Sequence, residues 1–377
     1  MANTVTEVLP KLLAQGLLAL RQQSIMPRFV NRAYETLAGE KGSTIDVPIP
    51  SAIAIAAVSP AATPPSTADV APTKVAIALS EWWEAPFYLT DKDVLEVMDG
   101  TIPMQASEAV KAVANKVDQD ILNLYKSVYG FAGAAGSTPF ANDLSEFLTA
   151  DQVLNDQLAA VDPRAVILNA RATGNAKGLR AIQDASWRND PEAMRRSEIG
   201  FVLGYSWAMD QNVPRHTAGT NSGATTDSAG YALGVKTVTL ASAGTGTILV
   251  GDIITFAGDD QTYAVTEGDT DVSDGGAISF VPGLKVVIPT SPVAITTKAS
   301  HRVNLAFHRD AFALATRPFA GADPMNLGQY LAAVDPVSGL TLRLEVTREH
   351  KRTRFSYDIL YGVQLVRPEY GCRLAGE

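Results

Sequence analysis

The residues of this 377-residue chain that could do chemistry are few: four histidines, one cysteine and some short glycine-rich or acidic runs. His216, His301, His308 and His350 each lack a second ligand at helical spacing, and neither HExxH nor CxxC occurs. The pattern of a catalytic zinc is therefore missing. HRD at 308–310 has the letters of a kinase catalytic loop, but Ala315 stands five residues past Asp310, where that loop needs asparagine. GTGTILVG at 244–251 is followed by no helix and closed by neither GKS nor GKT, so it reads as a hairpin turn. DTDVSDGG at 269–276 has the acidity for calcium without the ligand spacing of a calcium loop, and reads as a solvated turn. Cys372 has no second thiol to pair with. Arg348, Lys351, Arg352 and Arg354 make one basic cluster, offset by Glu349, which suits a charged hairpin tip facing a neighbour's acids. The expectation is a protein that is not an enzyme, with no cofactor and no metal.

Composition points the same way. With 46% hydrophobic and 19% charged residues, the chain has the make-up of a soluble protein with real cores. The net charge of −9 argues against a general nucleic-acid binder, because attraction to phosphate needs a basic surface. A membrane-spanning helix needs a run of about 18 apolar residues, and none exists. The opening MANTVTEVLPKLLAQGLLAL lacks a basic start, carries Glu7, and has Pro10 and Lys11 inside its apolar stretch. It is expected to be no secretion signal, which places the chain in the cytoplasm.

The elements are more informative than the chemistry. TIPMQASEAVKAVANKVDQDILNLYKSV at 101–128 repeats Val110, Val113, Val117, Ile121, Leu124 and Val128 at steps of three and four. That spacing makes one apolar helix face, with Glu108, Lys111, Asn115, Gln119, Asn123 and Lys126 on the wet sides. Such a rod is about 40 Å long and should lie along something broad and flat. Residues 4–20 read as an amphipathic helix, and a second short helix is expected from Met26 to Ala38. Nothing local covers their apolar faces, so they read as an arm that docks elsewhere. Ile45, Val47 and Ile49, then Val75, Ile77 and Leu79, alternate like strands on either side of AVSPAATPPSTADVAPT. This is a long two-stranded arm, and Trp82 and Trp83 mark where it returns to the body.

Residues 149–212 alternate helix and strand. HTAGTNSGATTDSAG is a linker, and short Val-, Ile- and Thr-rich runs at hairpin spacing follow it. From Thr220 to Thr297 there are eight acids against two bases, so this β module carries −6 of the chain's charge. Its expected core is Val250, Ile253, Ile254, Phe256, Val265, Phe280 and Val286, and its acids are expected to be solvated. Two alternating strands end the chain, Leu340 to Val346 and Phe355 to Leu365, joined by REHKR.

The order of these parts resembles the major coat proteins of tailed double-stranded-DNA phages, built on the Hong Kong ninety-seven capsid fold. Three stretches are similar to the P-twenty-two-type coat proteins within it: IGFVLGYSWAMDQNVPRHTAGT at 199–220, NLAFHRDAFALATRPF at 304–319, and SGLTLRLEVTREHKRTRFSYDILYGVQLVRPEYGCRL near the end. The resemblance implies an α+β fold with an N-terminal arm over 1–43 and an extended loop over 44–90. It implies a peripheral domain with its spine helix over 91–144 and 330–377. An axial domain would take 145–219 and 298–329, with an inserted β-rich domain at 220–297. It further implies copies gathered into pentamers and hexamers of an icosahedral head. The partners would be a separate scaffolding protein, a portal and non-specifically enclosed DNA, without a membrane, assembled in the bacterial cytoplasm. Contacts between copies are then expected at Glu7 and Leu12 of the arm, at Lys74, Trp82 and Trp83, and at Arg348, Lys351 and Arg352. An encapsulin-like protein compartment shares the implied fold, and a glycan-binding or hydrolytic β module is the third reading. The latter needs exposed aromatics beside paired carboxylates, and the module has only Tyr231, Phe256, Tyr263 and Phe280.

Overall fold

The computed structural model describes residues 12–14, 16–18, 20, 24–34, 44–50, 60, 72–92, 101–183, 199–317 and 328–377. An arm hairpin, two sheets that share the long helix, and a third sheet make up the molecule. Strands β1 (Thr44–Ile49) and β2 (Thr73–Ala78) pair antiparallel, Thr44 opposite Ala78. Alternation puts Ile45, Val47 and Ile77 on one face, which closes over Ala313, Ala315 and Val366. The tip of the arm lies outside the described residues.

The first sheet contains β15 (Phe312–Thr316), β18 (Arg352–Leu365), β17 (Thr341–Glu349) and β16 (Gly328–Val334), with β3 (Glu81–Thr90) paired along β18. The alternating apolar residues of β17 and β18, Leu342, Leu344, Val346, Phe355, Tyr357, Ile359 and Tyr361, are all buried, and in β18 Ser356 and Asp358 between them are enclosed too. Helix α1 (Thr101–Asn123) lies on that apolar face and tightens into a 3-10 turn at Leu124–Ser127 instead of running on as α-helix to Val128. Gly133, at φ 81°, begins the turn beyond the next strand.

The helix is not one-faced. Ala106, Ala114, Asp118, Leu122 and Tyr125 are buried as well as the valine stripe, because Ile167, Val303 and Leu305 of the second sheet, and Val213 in the segment after β7, share its core cluster. The second sheet has the order β4 (Gly130–Ala132), β19 (Gly371–Gly376), β14 (His301–His308), β5 (Arg164–Leu168), β7 (Tyr205–Met209), β6 (Gly200–Val202). Helix α2 (Ser145–Asp156) buries Phe147, Ala150 and Leu154 in this sheet's own core. Helix α3 (Ala170–Gly178) is capped by Asn169, whose side chain accepts from Ala172 N–H.

Three sequence boundaries shift. Strand β3 lies in the first sheet although its residues were expected in the extended loop, because Trp82 beside Trp83 breaks the alternation that marks a strand. Strand β15 lies in the first sheet and not with residues 298–329 of the second. The terminal β19 and β4 lie in the second sheet and not with the rest of 330–377.

The arm reading is corrected too. Leu12, Leu13 and Leu20 are buried in the core of the same chain, against α1 and the closing strands, and Tyr357 donates its hydroxyl to Leu12 O at 3.1 Å. Residues 26–34 contain a single 3-10 turn, Met26–Arg28, where a longer helix was expected.

The third sheet, β13 (Ile295–Thr297), β10 (Ile253–Phe256), β11 (Tyr263–Glu267), β12 (Ala277–Val281), β9 (Thr237–Thr239), is antiparallel throughout. Ile254, Phe256, Val265 and Phe280 enter its core with Tyr263, whereas Val250 and Val286 are exposed in turns.

Candidate functional site

A hydroxyl, an imidazole and a carboxylate do meet in this chain. At the C-terminal end of α1 the Tyr125 hydroxyl lies 3.0 Å from His216 Nδ1, and His216 Nε2 lies 2.8 Å from Asp252 Oδ1. All three are buried, and Asp252 also accepts from the Gly219 and Leu249 N–H groups. Burial raises the Tyr125 hydroxyl above its ordinary range, and no substrate can reach it. The arrangement holds structure together. It also corrects the expectation that every acid of the β module is solvated, since Asp252 is fully enclosed.

Arg373 completes the junction. Its guanidinium, buried within β19, donates to Val128 O, Gly251 O and Lys126 O at 2.8, 2.7 and 3.0 Å and stacks over Tyr125. One side chain thus ties the closing strand, the end of the long helix and the third sheet. Desolvation pulls its pKa down to about 9. Beside it His301 donates from Nδ1 to Ala299 O, and its buried Nε2 has no partner among the described residues. Burial lowers the His301 pKa to about 4, so the ring is neutral at pH 7.

The open face of the molecule lies at one end of the second sheet. Arg164, at the start of β5, is buried and donates to Ala159 O, Ala160 O, Asp151, Asn155 and the Tyr205 hydroxyl. This clamp fixes the preceding loop. Leu158 in that loop is 86% exposed at φ 57°. On the adjoining hairpin, Leu203 is 56% exposed at φ 53° and precedes Gly204 at φ 80°, the two positive-φ residues of a tight hairpin turn. Val161 and Phe201 are exposed beside them. Leucine is rare in the left-handed region and costs about 1–2 kcal/mol there. Two such leucines are therefore held out into solvent at the same end of the second sheet, where Arg164 and Tyr205 lie in register.

The residues expected from sequence to meet neighbouring copies lie elsewhere in the chain. Leu12 is spent on the chain's own core, and Glu7 lies outside the described residues. Lys74 pairs with Asp46 across the arm hairpin at 2.7 Å. Trp82 is 61% exposed while its Nε1 donates to Asp358, and the Lys116 ammonium sits 4.5 Å over the Trp83 ring. Arg348 pairs with Asp91, and Arg352 pairs with Glu349 and stacks on Tyr88. Lys351 holds the hairpin turn at φ 55° and is exposed. The basic cluster is largely answered inside the chain. At the arm's root, Gly362 of β18 touches β2 so closely that a Cβ there would lie 2.3 Å from Ala78 O.

No family model and no curated protein matches this sequence. Among solved structures, the chain is similar to one from Mycobacterium phage Che8, with a TM-score of 0.53 and 14% identity over 93% of this chain and 90% of that one. It also matches a chain from Gordonia phage Cozz, with a TM-score of 0.49 and 13% identity over 93% of this chain and 85% of that one. A third match is the capsid of cyanophage P-SCSP1u, at 0.49 and 10% over 93% and 87%. The Che8 likeness runs the length of both chains and is a likeness of fold.

Proposed function

Starting from a chain with the Hong Kong ninety-seven type of capsid fold, we propose that this protein is a major capsid protein that assembles with copies of itself into a closed phage head. The chain-wide fold likeness to the Che8 chain carries the reading. The local features agree with it: an arm hairpin whose described part docks on the first sheet, and exposed leucines near a buried arginine clamp. On this reading the Leu158–Leu203 face meets a neighbouring copy, the arm reaches another, and the acidic β module faces outward. A scaffolding protein and a portal are the further partners, and DNA is enclosed without sequence contact. A net-negative wall suits that role, because it does not trap the polymer passing inside it. Sedimentation and negative-stain microscopy of the expressed chain, with and without its scaffolding protein, test the proposal. Closed particles support it. A monomer or dimer under every assembly condition refutes it, and particles filled with a protein cargo instead of DNA point to the compartment reading.

A further inference from the structure

The chain enters the β module after β8 (Arg215–His216) and returns from it into β14. These two strands pair antiparallel with His301 opposite His216, so both imidazoles sit at the neck of the module, ring centroids 5.5 Å apart. The two rings are wired differently. His216 donates from Nε2 to Asp252 and takes the Tyr125 hydroxyl at Nδ1, so both its nitrogens are answered and a carboxylate lies beside it. His301 donates from Nδ1 to Ala299 O at 2.8 Å and meets Phe131 of β4 edge-on at 5.2 Å. Its buried Nε2 has no partner among the described residues. The charged and titratable groups gathered round it come from every element at the joint. They are His216 of β8, Asp252 from the turn before β10, Arg373 of β19 and, edge-on to His216, Tyr125 from the end of α1. Lys126 passes its side-chain stem beside Gly251, and the Lys298 ammonium sits 5.9 Å over the Phe131 ring. A charge on His301 would therefore add to that of Arg373 and find no carboxylate of its own, because Asp252 is held by His216. The apolar contact at this joint is small: Tyr129 meets Ile253 and Ala264. The core of the module, with Ile254, Phe256, Val265 and Phe280, closes on itself. Opening the joint is thus separable from unfolding either part.

We propose that this neck is an acid-released latch: protonation of His301 parts β8 from β14 at the two histidines and lifts the Gly251–Asp252 turn off Tyr125 and Arg373, so that the module swings free while module and body stay folded. A buried imidazolium without a counter-ion is penalised, and water answers it only when the neck opens. The direction follows from the geometry. Burial, chiefly, lowers the His301 pKa from 6.5 to about 4 in the closed neck, and the open neck restores the ordinary value. The closed state is then fully favoured above pH 6.5 and loses ground as pH falls toward 4. Between pH 7 and pH 5 the ratio of open to closed necks should rise about 20-fold. The joint lies within one chain, so the device works in the single subunit and does not depend on shell formation.

Hydrogen–deuterium exchange of the full-length unassembled chain at pH 7, 6 and 5, corrected for intrinsic exchange, reads the neck directly. Peptides covering 213–219 and 297–303 should lose at least tenfold in protection from pH 7 to pH 5, while peptides from β12 and β18 hold theirs. His301→Gln places a side chain that never charges and can still donate to Ala299 O, and should make protection of the neck independent of pH. Thr262→Val removes the hydroxyl that donates to Tyr129 O at 2.7 Å across the same joint. It should lower neck protection by a similar factor at every pH and leave the size of the pH step unchanged. Neck protection in the parent chain that does not change with pH overturns the proposal. So does a loss shared by β12 or β18, because acid then unfolds the chain and does not unlatch it. A pH step retained in full by His301→Gln overturns it as well, as does neck protection that Thr262→Val leaves untouched.

Discussion

At the scale of single residues, the buried junction sets the clearest expectations. His301 is neutral when folded, with a pKa of about 4 against an ordinary value of 6.5. A lowered folded value means the contribution is complete above pH 6.5 and is lost as pH falls toward 4, reaching about 3 kcal/mol. Denaturant unfolding at pH 7 and pH 4.5, compared between the parent chain and His301→Gln, measures it. The variant should lose less stability on acidification, and parallel curves for the two would remove His301 from the account. Arg373→Met leaves three carbonyls buried and unanswered, and should cost about 3–5 kcal/mol in thermal or denaturant unfolding. Neither residue announces itself in the sequence. Arg373 lies in GCRLAG, a run with no alternation in which every residue is enclosed, and its partners are carbonyls from two distant segments. Asp118 is hidden for a related reason: a charge inside an apolar repeat reads as a break in the stripe, when the helix is in fact packed on two sides.

At the scale of elements, periodicity told most of what was there to be told. Leu342 to Val346 alternate in the sequence and are buried accordingly, while in Phe355 to Tyr361 the apolar residues are buried as their alternation implies and Ser356 and Asp358 between them are enclosed too. Val117 faces the core and Asn123 faces solvent. Val117→Asp should therefore cost several kcal/mol, and Asn123→Asp less than about 0.5. Equal melting temperatures for the two variants would mean the helix is rotated from the position described. Hairpin partners across the molecule were less legible. β3 joins β18, and β15 and β19 lie in sheets other than those their sequence neighbours suggest, since nothing local states which edge a short strand will take. Among the described residues of the N-terminal segment, Leu12, Leu13 and Leu20 are buried in the chain's own core, so its apolar side is not unpartnered. Removing residues 1–20 takes Leu12, Leu13 and Leu20 out of the core. At roughly 2–3 kcal/mol for each buried leucine, the truncated chain should melt far below the parent in circular dichroism. An unchanged melt would restore the reading of a detachable arm.

At the scale of the whole molecule, the proposed function makes folding and assembly separate at the Leu158–Leu203 face. Both side chains are in solvent in the single subunit, and asparagine tolerates the left-handed backbone better than leucine does. Leu158→Asn should leave the subunit as stable as the parent, within about 1 kcal/mol, or slightly more stable. It should also lower the yield of particles severalfold in a sedimentation assay. A variant that assembles as well as the parent would show that this face is not where copies meet. The β module makes the opposite point. Its turns and Val-Ile-Thr runs marked it in the sequence as a unit with its own sheet. Through Asp252, Gly251 and Thr262, whose hydroxyl donates to Tyr129 O, it is nevertheless bolted to the end of the long helix.

The close contact between Gly362 and Ala78 gives the arm a lever's geometry. Six paired residues carry β1 and β2 about 20 Å along their length before the tip begins. A side chain at 362 would push on the fulcrum, where the gap is 2.3 Å, and not on the load. Tilting the hairpin by ten degrees at its root sweeps its far end through roughly 3.5 Å, about the width of one strand position. The crowded atom is a backbone oxygen, so the two strands must shift and the subunit loses stability. In the proposed shell the same change is felt again, because an angle repeated at every joint sets the curvature of the whole, and a single methyl group at the pivot becomes a question of radius.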